Sequence, residues 1–348
     1  DAMGAIRDSL VSGEKDGHII LPPGAGKTVI FSQLAAGTGL RTLVLSPTVK
    51  ILSQANEKFE MYAPDIAVSS YYGRKKDLSG DVVNTTYQSA LSLLESGELD
   101  PKSFDLVILD EVHMALGEKR HKMHQYFDHA IRLGLTATAS FDQLEGYQRR
   151  GLIAQYEPWL GIFRNCIYEM GLEEAMEREI ISNADIIMFK TRTRVQDVEI
   201  ASSGDYNKRD INRELNKETR NFLTIGMIAG VDKIPPHVRI SAEKREEIEQ
   251  IHEKIKGKRA AVFGLSVDQV NELAVRLREL GVTAAAVHGK VDYEKRDRIF
   301  AEHKTGDIQV ILGVDMLRIG WDSPETKVGI YQAPTHSGVV ALQEFGRI

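Results

Sequence analysis

Short apolar runs alternate with stretches of helical periodicity along the first half of the chain. The runs that predict strands are bounded by turn residues and lie at HIIL (18–21), TLVLS (42–46), DVVNTT (81–86) and FDLVILD (104–110). Between them, residues 28–37 and 49–61 carry apolar side chains at helical spacing. Strands that alternate with helices indicate βαβ units, and unalternating apolar strands indicate a parallel sheet with helices on both faces.

A second block with the same alternation occupies the C-terminal part of the chain. Its predicted strands lie at AAVFGL (260–265), TAAAVH (283–288), IQVILGV (308–314) and KVGIYQ (327–332). Residues 268–280 place apolar side chains on one helix face, and Gly281 suits the C-terminal cap. The pattern therefore predicts an α/β protein with two parallel sheets.

The segment between the two blocks gives a weaker signal. Residues 141–184 look helical, and DIIMFKT (185–191) is a candidate first strand of the second block. The polar stretch 205–256 also looks helical, with Ser241 as a cap. The expected division is a first domain, a crossover linker and a second domain, at 1–166, 167–184 and 185–348.

The length and composition of the chain limit the classes of protein to which it can belong. The chain has 348 residues, 42% hydrophobic and 27% charged, which suits about two domains of typical size. No apolar run is long enough to cross a bilayer and no leader is recognisable, so we expect a cytoplasmic or nucleoid-associated protein without a membrane partner. Cys166 is the only cysteine, which excludes an internal disulfide. The net charge of −6 neither indicates nor excludes nucleic acid.

The ends of the sequence suggest a piece of a longer protein. The chain begins at Asp1 without an initiator methionine, and it stops inside a candidate functional motif at Ile348. We therefore expect further domains or protein partners beyond both ends.

The string PPGAGKT (22–28) follows the first predicted strand and precedes a helix. Backbone N–H groups of such a glycine turn cradle phosphates, a lysine neutralises phosphate charge, and a threonine hydroxyl binds Mg²⁺. The candidate nucleotide-binding residues are Pro23, Gly24, Ala25, Gly26, Lys27 and Thr28, with Thr28 also a metal ligand. The strict P-loop pattern asks for glycine where this chain has Leu21, and a plain structural turn is the alternative.

Two carboxylates end the strand FDLVILD, where side chains of a parallel sheet reach a ligand. Asp110 suits binding of Mg²⁺, and Glu111 suits the orientation of an attacking water near a γ-phosphate. A solvated turn at a strand end is the alternative for both residues. The preceding phosphate-binding string favours the functional interpretation.

Three further polar residues are candidates for coupling the nucleotide site to another ligand. His113 could hydrogen-bond out of the site, or it could be an ordinary packing histidine. Thr136 and Thr138 supply short hydroxyls in TAT (136–138), although threonines are common at strand ends.

The C-terminal part holds two more candidate motifs. GVDMLRIGWDSPE (313–325) runs from a strand end into a polar turn with Gly320 and Asp322. QEFGR (343–347) places Gln343 and Arg347 at nearly helical spacing. Arg347 could stabilise transition-state charge as an arginine finger does, or it could be a surface arginine.

In this order the strings resemble superfamily 2 helicases and translocases of the DEAD/DEAH-like type, over nearly the whole chain. The likeness to motifs I, II, III, V and VI lies in PPGAGKT, DEVH (110–113), LTATAS (135–140), VDMLRIGWDSPE (314–325) and QEFGR. The stretches similar to motifs Ia, Ic and IV and its neighbour are VLSPTVKILSQ (44–54), TTYQS (85–89), VFGLSVDQV (262–270) and HGK (288–290).

The resemblance implies two RecA-like domains, with ATP and Mg²⁺ in the cleft between them and a nucleic-acid strand across both. It implies nucleotide contacts from Gly320 and Asp322, and catalytic roles for Lys27, Glu111, Gln343 and Arg347. The implied strand-binding residues are Pro47, Thr48, Thr86, Gln88, Ser266 and His288. Ser266 also forms an S-x-x-Q capping box with Gln269, and both roles are compatible.

The chain departs from the family pattern in three places. Motif VI usually continues to a second arginine three positions beyond the first, and this sequence ends at Ile348. The adenine-reading glutamine of many members would precede Asp1, and Glu344 stands where one form of motif VI has arginine.

The sequence therefore predicts an ATP-dependent nucleic-acid helicase or translocase. DEVH, GWDSPE and PTHS resemble DNA-directed restriction motors and repair helicases, so DNA is favoured over RNA, with an RNA helicase as an alternative. An ATP-gated clamp or sensor is a second alternative. A P-loop enzyme that transfers phosphate to a small molecule is a third, and it leaves the second α/β block unexplained.

Overall fold

The computed structural model describes residues 1–112, 125–137, 165–183, 185–189, 198–199, 206–317, 321 and 323–332. The chain divides into two compact units, residues 1–184 and residues 185–348. Each unit contains its own sheet with helices packed against it.

The described part of the first unit contains a sheet of eight strands. They are β1 (Asp16–Ile20), β2 (Thr42–Ser46), β3 (Val68–Tyr72), β4 (Lys75–Lys76), β5 (Val82–Thr86), β6 (Leu106–Asp110), β7 (Ile131–Thr136) and β8 (Cys166–Glu169). Their order across the sheet is β4-β3-β5-β2-β6-β7-β1-β8, and every pairing is parallel except that of β4 with β3. The carboxyl ends of seven strands therefore meet at one edge of this sheet.

Helices cover both faces of the first sheet. They are α1 (Ala2–Val11), α2 (Lys27–Thr38), α3 (Val49–Tyr62), α4 (Tyr87–Ser96) and α5 (Leu172–Glu177). Neighbouring residues of one strand belong to different hydrophobic clusters, Leu43 and Leu45 to one and Val44 to the other. Because both faces of β2 are buried, its sequence is apolar without alternation.

In the described residues of the second unit, the sheet has four parallel strands, in the order β10-β11-β9-β12. Their bounds are β9 (Ala260–Phe263), β10 (Ala284–Val287), β11 (Val310–Gly313) and β12 (Val328–Tyr331). The described helices of this unit are α6 (Lys208–Leu215), α7 (Glu218–Ala229), α8 (Ala242–Ile255), α9 (Val267–Glu279) and α10 (Tyr293–Thr305). Val262 and its neighbour Phe263 again pack into different clusters, so both faces are covered.

These two sheets confirm the predicted α/β fold, but the predicted linker at 167–184 is wrong. Residues 141–164 lie outside the described part, whereas Cys166–Glu169 forms β8 and pairs in parallel with β1. Met170 and Ala175 are buried in the core of the first unit, which ends at Ala184. The strand is only four residues long and half exposed, so its sequence lacks the apolar run of a buried strand.

The prediction of a strand at 185–191 is also wrong for its described residues. Residues 185–189 have no regular structure, and Ile186, Ile187 and Met188 are exposed. Phe189 packs against the second unit, with the Lys244 ammonium 4.1 Å from its ring centre. An apolar run forms a strand only where a neighbour pairs its backbone, and these residues have none in the described part.

The stretch 205–256 contains helices, as predicted, but it is not polar throughout. It forms α6, α7 and α8, and residues 221–228 of α7 are all buried. Ser241 caps α8 by accepting a hydrogen bond from the Lys244 N–H, as its position predicts. The buried helix α7 therefore belongs to the core of the second unit.

Candidate functional site

The candidate phosphate-binding string PPGAGKT (22–28) forms the turn after β1 and the first two residues of α2. Gly24 and Gly26 have φ angles of +80° and +85°, a backbone region that strongly favours glycine. Gly26 is the N-cap of α2 and has no side chain with which to cap the first turn. The turn and the helix N-terminus thus present the backbone donors that an anion such as a phosphate requires.

The Lys27 side chain folds back onto this turn. Its ammonium donates to the Leu21 carbonyl at 3.0 Å and to the Pro22 carbonyl at 3.4 Å. Thr28 follows in the first turn of α2 and is partly exposed. The predicted cradle is therefore brought together, with the lysine charge held by carbonyls of the turn.

Asp110 ends β6 and is buried, with 5% of its surface exposed. Its carboxylate accepts hydrogen bonds from the Ser46 hydroxyl at 3.2 Å and from the Glu111 N–H at 3.0 Å. Burial and the negative charge of Glu111 raise the pKa of Asp110 to about 7, against the opposing charge of Lys27. A divalent cation would favour the charged form, so this buried oxygen donor fits Mg²⁺.

Glu111 has a φ angle of +48°, which is unusual for a residue other than glycine. Such backbone strain clusters at functional sites, where the surrounding structure enforces it. The Tyr87 hydroxyl contributes to this support by donating to the Asp110 carbonyl at 2.8 Å.

The strand order places these groups side by side. β6, β7 and β1 are adjacent, and the Leu21 N–H donates to the carbonyl of Thr136 at the end of β7. Asp110, Thr136 and the phosphate-binding turn thus lie at the ends of three neighbouring parallel strands. His113 and Thr138 lie outside the described residues.

The predicted strand-binding residues of the first unit lie along the same edge. Thr48 follows β2 and caps α3, accepting from the Ile51 N–H at 3.4 Å. Thr86 ends β5 and caps α4, accepting from the Ser89 N–H at 3.1 Å. Pro47 is partly exposed and Gln88 is exposed in the first turn of α4. The two threonines therefore have structural roles as helix caps.

In the second unit, Ser266 follows β9 and caps α9, accepting from the Gln269 N–H at 3.3 Å. The side-chain carbonyl oxygen of Gln269 accepts from the Leu265 N–H at 2.7 Å. In a regular capping box it would accept from the N–H of the N-cap residue itself, Ser266. His288 follows β10, is buried, and contacts the Asn271 side chain at 3.2 Å. Burial and the nearby Lys290 lower the pKa of His288.

Buried amides join α7 to the strand ends of this unit. Gln269 donates to the Asn221 side chain at 2.8 Å, and Gln332, after β12, donates to the Thr224 hydroxyl at 2.6 Å. All four side chains are buried. This network was not predicted, because isolated Asn and Gln residues in a sequence carry no spatial signal.

Gly320, Asp322, Gln343 and Arg347 lie outside the described residues. Around the polar turn, Trp321 is buried, and its ring centre lies 5.9 Å from that of His303. The buried His303 ring also contacts the Ile308 carbonyl and the Thr326 hydroxyl, each at 2.9 Å. Burial lowers the pKa of this imidazole.

Two supporting residues, Ser46 and Tyr87, were missed by sequence reasoning. Both contact Asp110, but Ser46 reaches it only because β2 and β6 are neighbours.

The described residues hold no group of three or more His, Cys, Asp or Glu arranged for a metal, and no helix there is long and apolar enough to span a bilayer.

Two family models match the chain. The model of the type III restriction enzyme res subunit matches residues 1–141, and the model of the helicase conserved C-terminal domain matches residues 243–348. The matches therefore fall on the two units in the order that the motifs predict.

Two curated relatives extend the likeness over most of the chain. The DNA 3′-5′ translocase XPB2 of Sulfurisphaera tokodaii is 25% identical over 360 residues, which cover 96% of this chain and 75% of the relative. The putative ATP-dependent helicase IRC3 of Saccharomyces cerevisiae is 21% identical over 365 residues, covering 100% of this chain and 48% of the relative. This chain thus spans about half the length of IRC3.

A solved structure with the same fold is the ATP-dependent type ISP restriction-modification enzyme LlaBIII bound to DNA. Its TM-score is 0.60 at 16% sequence identity, covering 100% of this chain and 26% of that chain. This likeness places both units in the RecA-like fold.

Proposed function

Since the chain belongs to superfamily 2 of the helicases and translocases, we propose that it hydrolyses ATP to move along or unwind DNA. The main observation that supports this proposal is that the phosphate-binding turn, Asp110 and Thr136 lie at the ends of three adjacent strands. A phosphate cradle beside a buried carboxylate is the arrangement that phosphoryl transfer needs.

The cradle residues would hold the phosphates of ATP. Backbone N–H groups of the turn and of the α2 N-terminus donate to the phosphate oxygens. Lys27 exchanges the Leu21 and Pro22 carbonyls for a phosphate. Thr28 and Asp110 would hold Mg²⁺, whose chemistry is to neutralise phosphate charge.

Glu111 has the role of orienting the attacking water in this proposal. Its backbone conformation and its position after Asp110 hold the side chain at the end of β6. A carboxylate at this position can accept a proton from the water as the new P–O bond forms. Gln343 and Arg347 would stabilise the transferred phosphoryl group.

The proposed nucleic-acid track consists of residues that follow strands or lie at helix N-termini. These are Pro47, Thr48, Thr86, Gln88, Ser266 and His288. Capped N-termini of α3, α4 and α9 attract phosphate through the helix dipole, so contacts to the backbone of DNA are favoured over contacts to bases. His113, Thr136 and Thr138 would couple this track to the nucleotide.

Steady-state ATP hydrolysis tests the proposal. The protein is assayed alone and with single-stranded DNA, duplex DNA or RNA, beside a Lys27→Ala variant. We expect DNA to stimulate the rate severalfold or more, and we expect the variant to lose about a hundredfold or more in rate. Stimulation by RNA alone would instead identify an RNA helicase.

A Glu111→Gln variant separates a motor from an ATP-gated clamp. A motor loses both ATP turnover and strand displacement or translocation, measured with a fluorescent duplex or a triplex. A clamp retains its full output, ATP-dependent DNA binding, in the variant. Absence of any stimulation in a protein that still binds ATP would contradict the motor proposal.

A further inference from the structure

An apolar side chain from the last part of the first unit reaches the phosphate-binding turn. A Cβ atom at Gly24 would lie 3.6 Å from Cγ2 of Ile181, which is an ordinary van der Waals distance. Ile181 and Ala25, the next residue of the turn, are both partly buried against the same core cluster of the first unit. The Ile181 side chain therefore lies against the turn at its first glycine.

The turn depends on its neighbours for its shape. Residues 21–23 are buried, whereas the tip of the turn at Gly24 is exposed. Gly24 and Gly26 both have positive φ angles, and glycine restricts the backbone less than any other residue. An N–H group that binds a phosphate also contributes no hydrogen bond that would brace the turn. Packing against the tip must therefore help to hold it in one conformation.

A tight stop after α5 places Ile181. The Ile180 N–H donates to the Ala175 carbonyl at 2.9 Å. The Glu179 N–H donates to the Met176 carbonyl at 2.9 Å, which completes the two hydrogen bonds of a Schellman motif. The Ile181 N–H also donates to the Ala175 carbonyl, at 3.3 Å. Because Ala175 is fully buried, these bonds fix Ile181 relative to the core.

The stop contains a strained residue. Glu179 has a φ angle of +56°, in the left-handed region, at the position where this motif usually has glycine. A residue with a Cβ atom adopts that region at a cost in stability, and the exposed Glu179 side chain has no packing that would offset it. Such strain persists where the surrounding structure enforces it. What it maintains here is the direction of the chain that carries Ile181 to the turn.

The turn and α5 are joined to neighbouring strands. β8 pairs in parallel with β1, and the Met170 N–H after β8 donates to the carbonyl of Ile20 at 3.0 Å. Ile20 ends β1 and leads into the turn, whereas Met170 leads into α5. The contact of Ile181 with Gly24 thus connects two segments that leave the sheet side by side.

We propose that Ile181 is a positioning residue for the phosphate-binding turn, and that its Cγ2 methyl group holds Gly24 in the conformation that binds a polyphosphate. This inference rests on the proposed function. The competing explanation is that Ile181 only adds to the core of the first unit. Ile167 allows the comparison, because it is partly buried against the same core but contacts Gly17, near the start of β1.

The test compares the unchanged protein with an Ile181→Ala variant. Calorimetric titration measures the binding of magnesium tripolyphosphate and of magnesium ADP. We expect about threefold to tenfold weaker binding of both ligands, by the same factor, because the contact supports the phosphate-binding turn and not a base. In steady-state hydrolysis, KM for ATP should rise by a similar factor while kcat stays within about threefold, since ground state and transition state use the same turn.

Two matched variants identify the contact. Ile181→Val retains both branches at Cβ and loses only the terminal methyl group, so its binding should stay within about twofold of that of the unchanged protein. Ile167→Ala removes the same atoms from the same core. It should lower the unfolding temperature about as much as Ile181→Ala, yet leave binding within about twofold.

A third variant and a spectrum separate the contact from the backbone that carries it. Glu179→Gly removes the strain and retains the contact, so the unfolding temperature should rise while binding is retained. In methyl NMR spectra of the unchanged protein, magnesium tripolyphosphate should shift the γ2-methyl signal of Ile181 but not that of Ile167.

The outcomes separate this inference from the proposed function. If the unchanged protein binds tripolyphosphate and Ile181→Ala binds it equally well, the inference alone is overturned. An equal loss of binding in Ile167→Ala or in Ile181→Val would also overturn it, and so would an Ile181 methyl signal that tripolyphosphate does not shift. If the unchanged protein binds neither tripolyphosphate nor ADP, the proposed function fails as well.

Discussion

At the carboxyl ends of its strands, the first unit buries an ionisable carboxyl group, whereas the second unit buries neutral amides. Asp110 lies among Ser46, the Glu111 N–H and the charge of Lys27. At the corresponding edge of the second sheet, Gln269 and Gln332 join α7 to β9 and β12 through neutral hydrogen bonds. A buried carboxylate costs stability until a cation arrives, whereas hydrogen bonds between neutral buried groups stabilise the fold without one.

The largest expected effect comes from removing the buried charge. Asp110→Asn keeps the shape of the side chain but loses the proposed Mg²⁺ ligand, so ATP hydrolysis should fall about a hundredfold or more. Without Mg²⁺ near pH 8, the same variant should have a free energy of unfolding higher by about 1 kcal/mol or more, because it buries no charge.

Steady-state kinetics and denaturant unfolding in chelator check both halves of this prediction. Asp128→Asn is the matched control, since the Asp128 side chain is 83% exposed and should change neither quantity. An Asp110→Asn protein that is less stable than the unchanged one would contradict the prediction that the buried Asp110 charge lowers the free energy of unfolding.

A smaller effect is expected from the amide network. Gln269→Ala leaves the Leu265 N–H and the Asn221 carbonyl oxygen without their partner, so the second unit should lose about 1 to 3 kcal/mol of unfolding free energy. Gln250→Ala on α8 is the control, because Gln250 is exposed. Equal unfolding midpoints for the two variants would show that the network does not stabilise the fold.

The smallest effect concerns acid stability. Burial lowers the pKa of His303 below its ordinary value of 6.5, so the neutral imidazole stabilises the folded state fully above that pH. As pH falls through about 6.5 toward the folded-state pKa, the unfolded chain binds the proton first and stability declines. Arg259 opposes protonation in the folded state and Glu325 favours it.

Unfolding of His303→Asn between about pH 7 and pH 5 checks this window. Its stability should depend less on pH than that of the unchanged protein. His237→Asn removes a histidine with 65% side-chain exposure and should retain the full dependence. Identical pH profiles for the His303 variant and the unchanged protein would contradict the prediction.

An unbroken apolar run decided whether a strand was predictable from sequence. The apolar strands β2, β6 and β9 were predicted to within two residues because they are covered on both faces. The edge strands β4 and β8 were missed, since an exposed strand needs no apolar run. Strands β3 and β7 were missed as well, because serines interrupt the first and an arginine and a glycine interrupt the second. The strand predicted at 185–191 was wrong for the opposite reason. Its apolar run indicated burial, whereas Ile186, Ile187 and Met188 are exposed.

The placement of the candidate site residues was predictable where it is local in sequence. The candidate phosphate-binding turn follows β1 and the Asp110–Glu111 pair lies at the end of β6, so their positions at the carboxyl edge of the sheet could be predicted. The contact of Ser46 with Asp110 depends on β2 lying beside β6, and the tie of Gln269 to Asn221 joins residues 48 positions apart. No sequence pattern encodes either neighbourhood.

The contact of Lys27 with its own turn has a consequence for selectivity. The ammonium already has the Leu21 and Pro22 carbonyls as acceptors, so any ligand must compete with the protein for it. Entry of a ligand is therefore an exchange, and its gain is the difference between two sets of hydrogen bonds. Weak acceptors lose this competition, while a polyphosphate with several negative charges wins it. In the proposed function, this exchange would favour a nucleoside polyphosphate over an uncharged nucleoside.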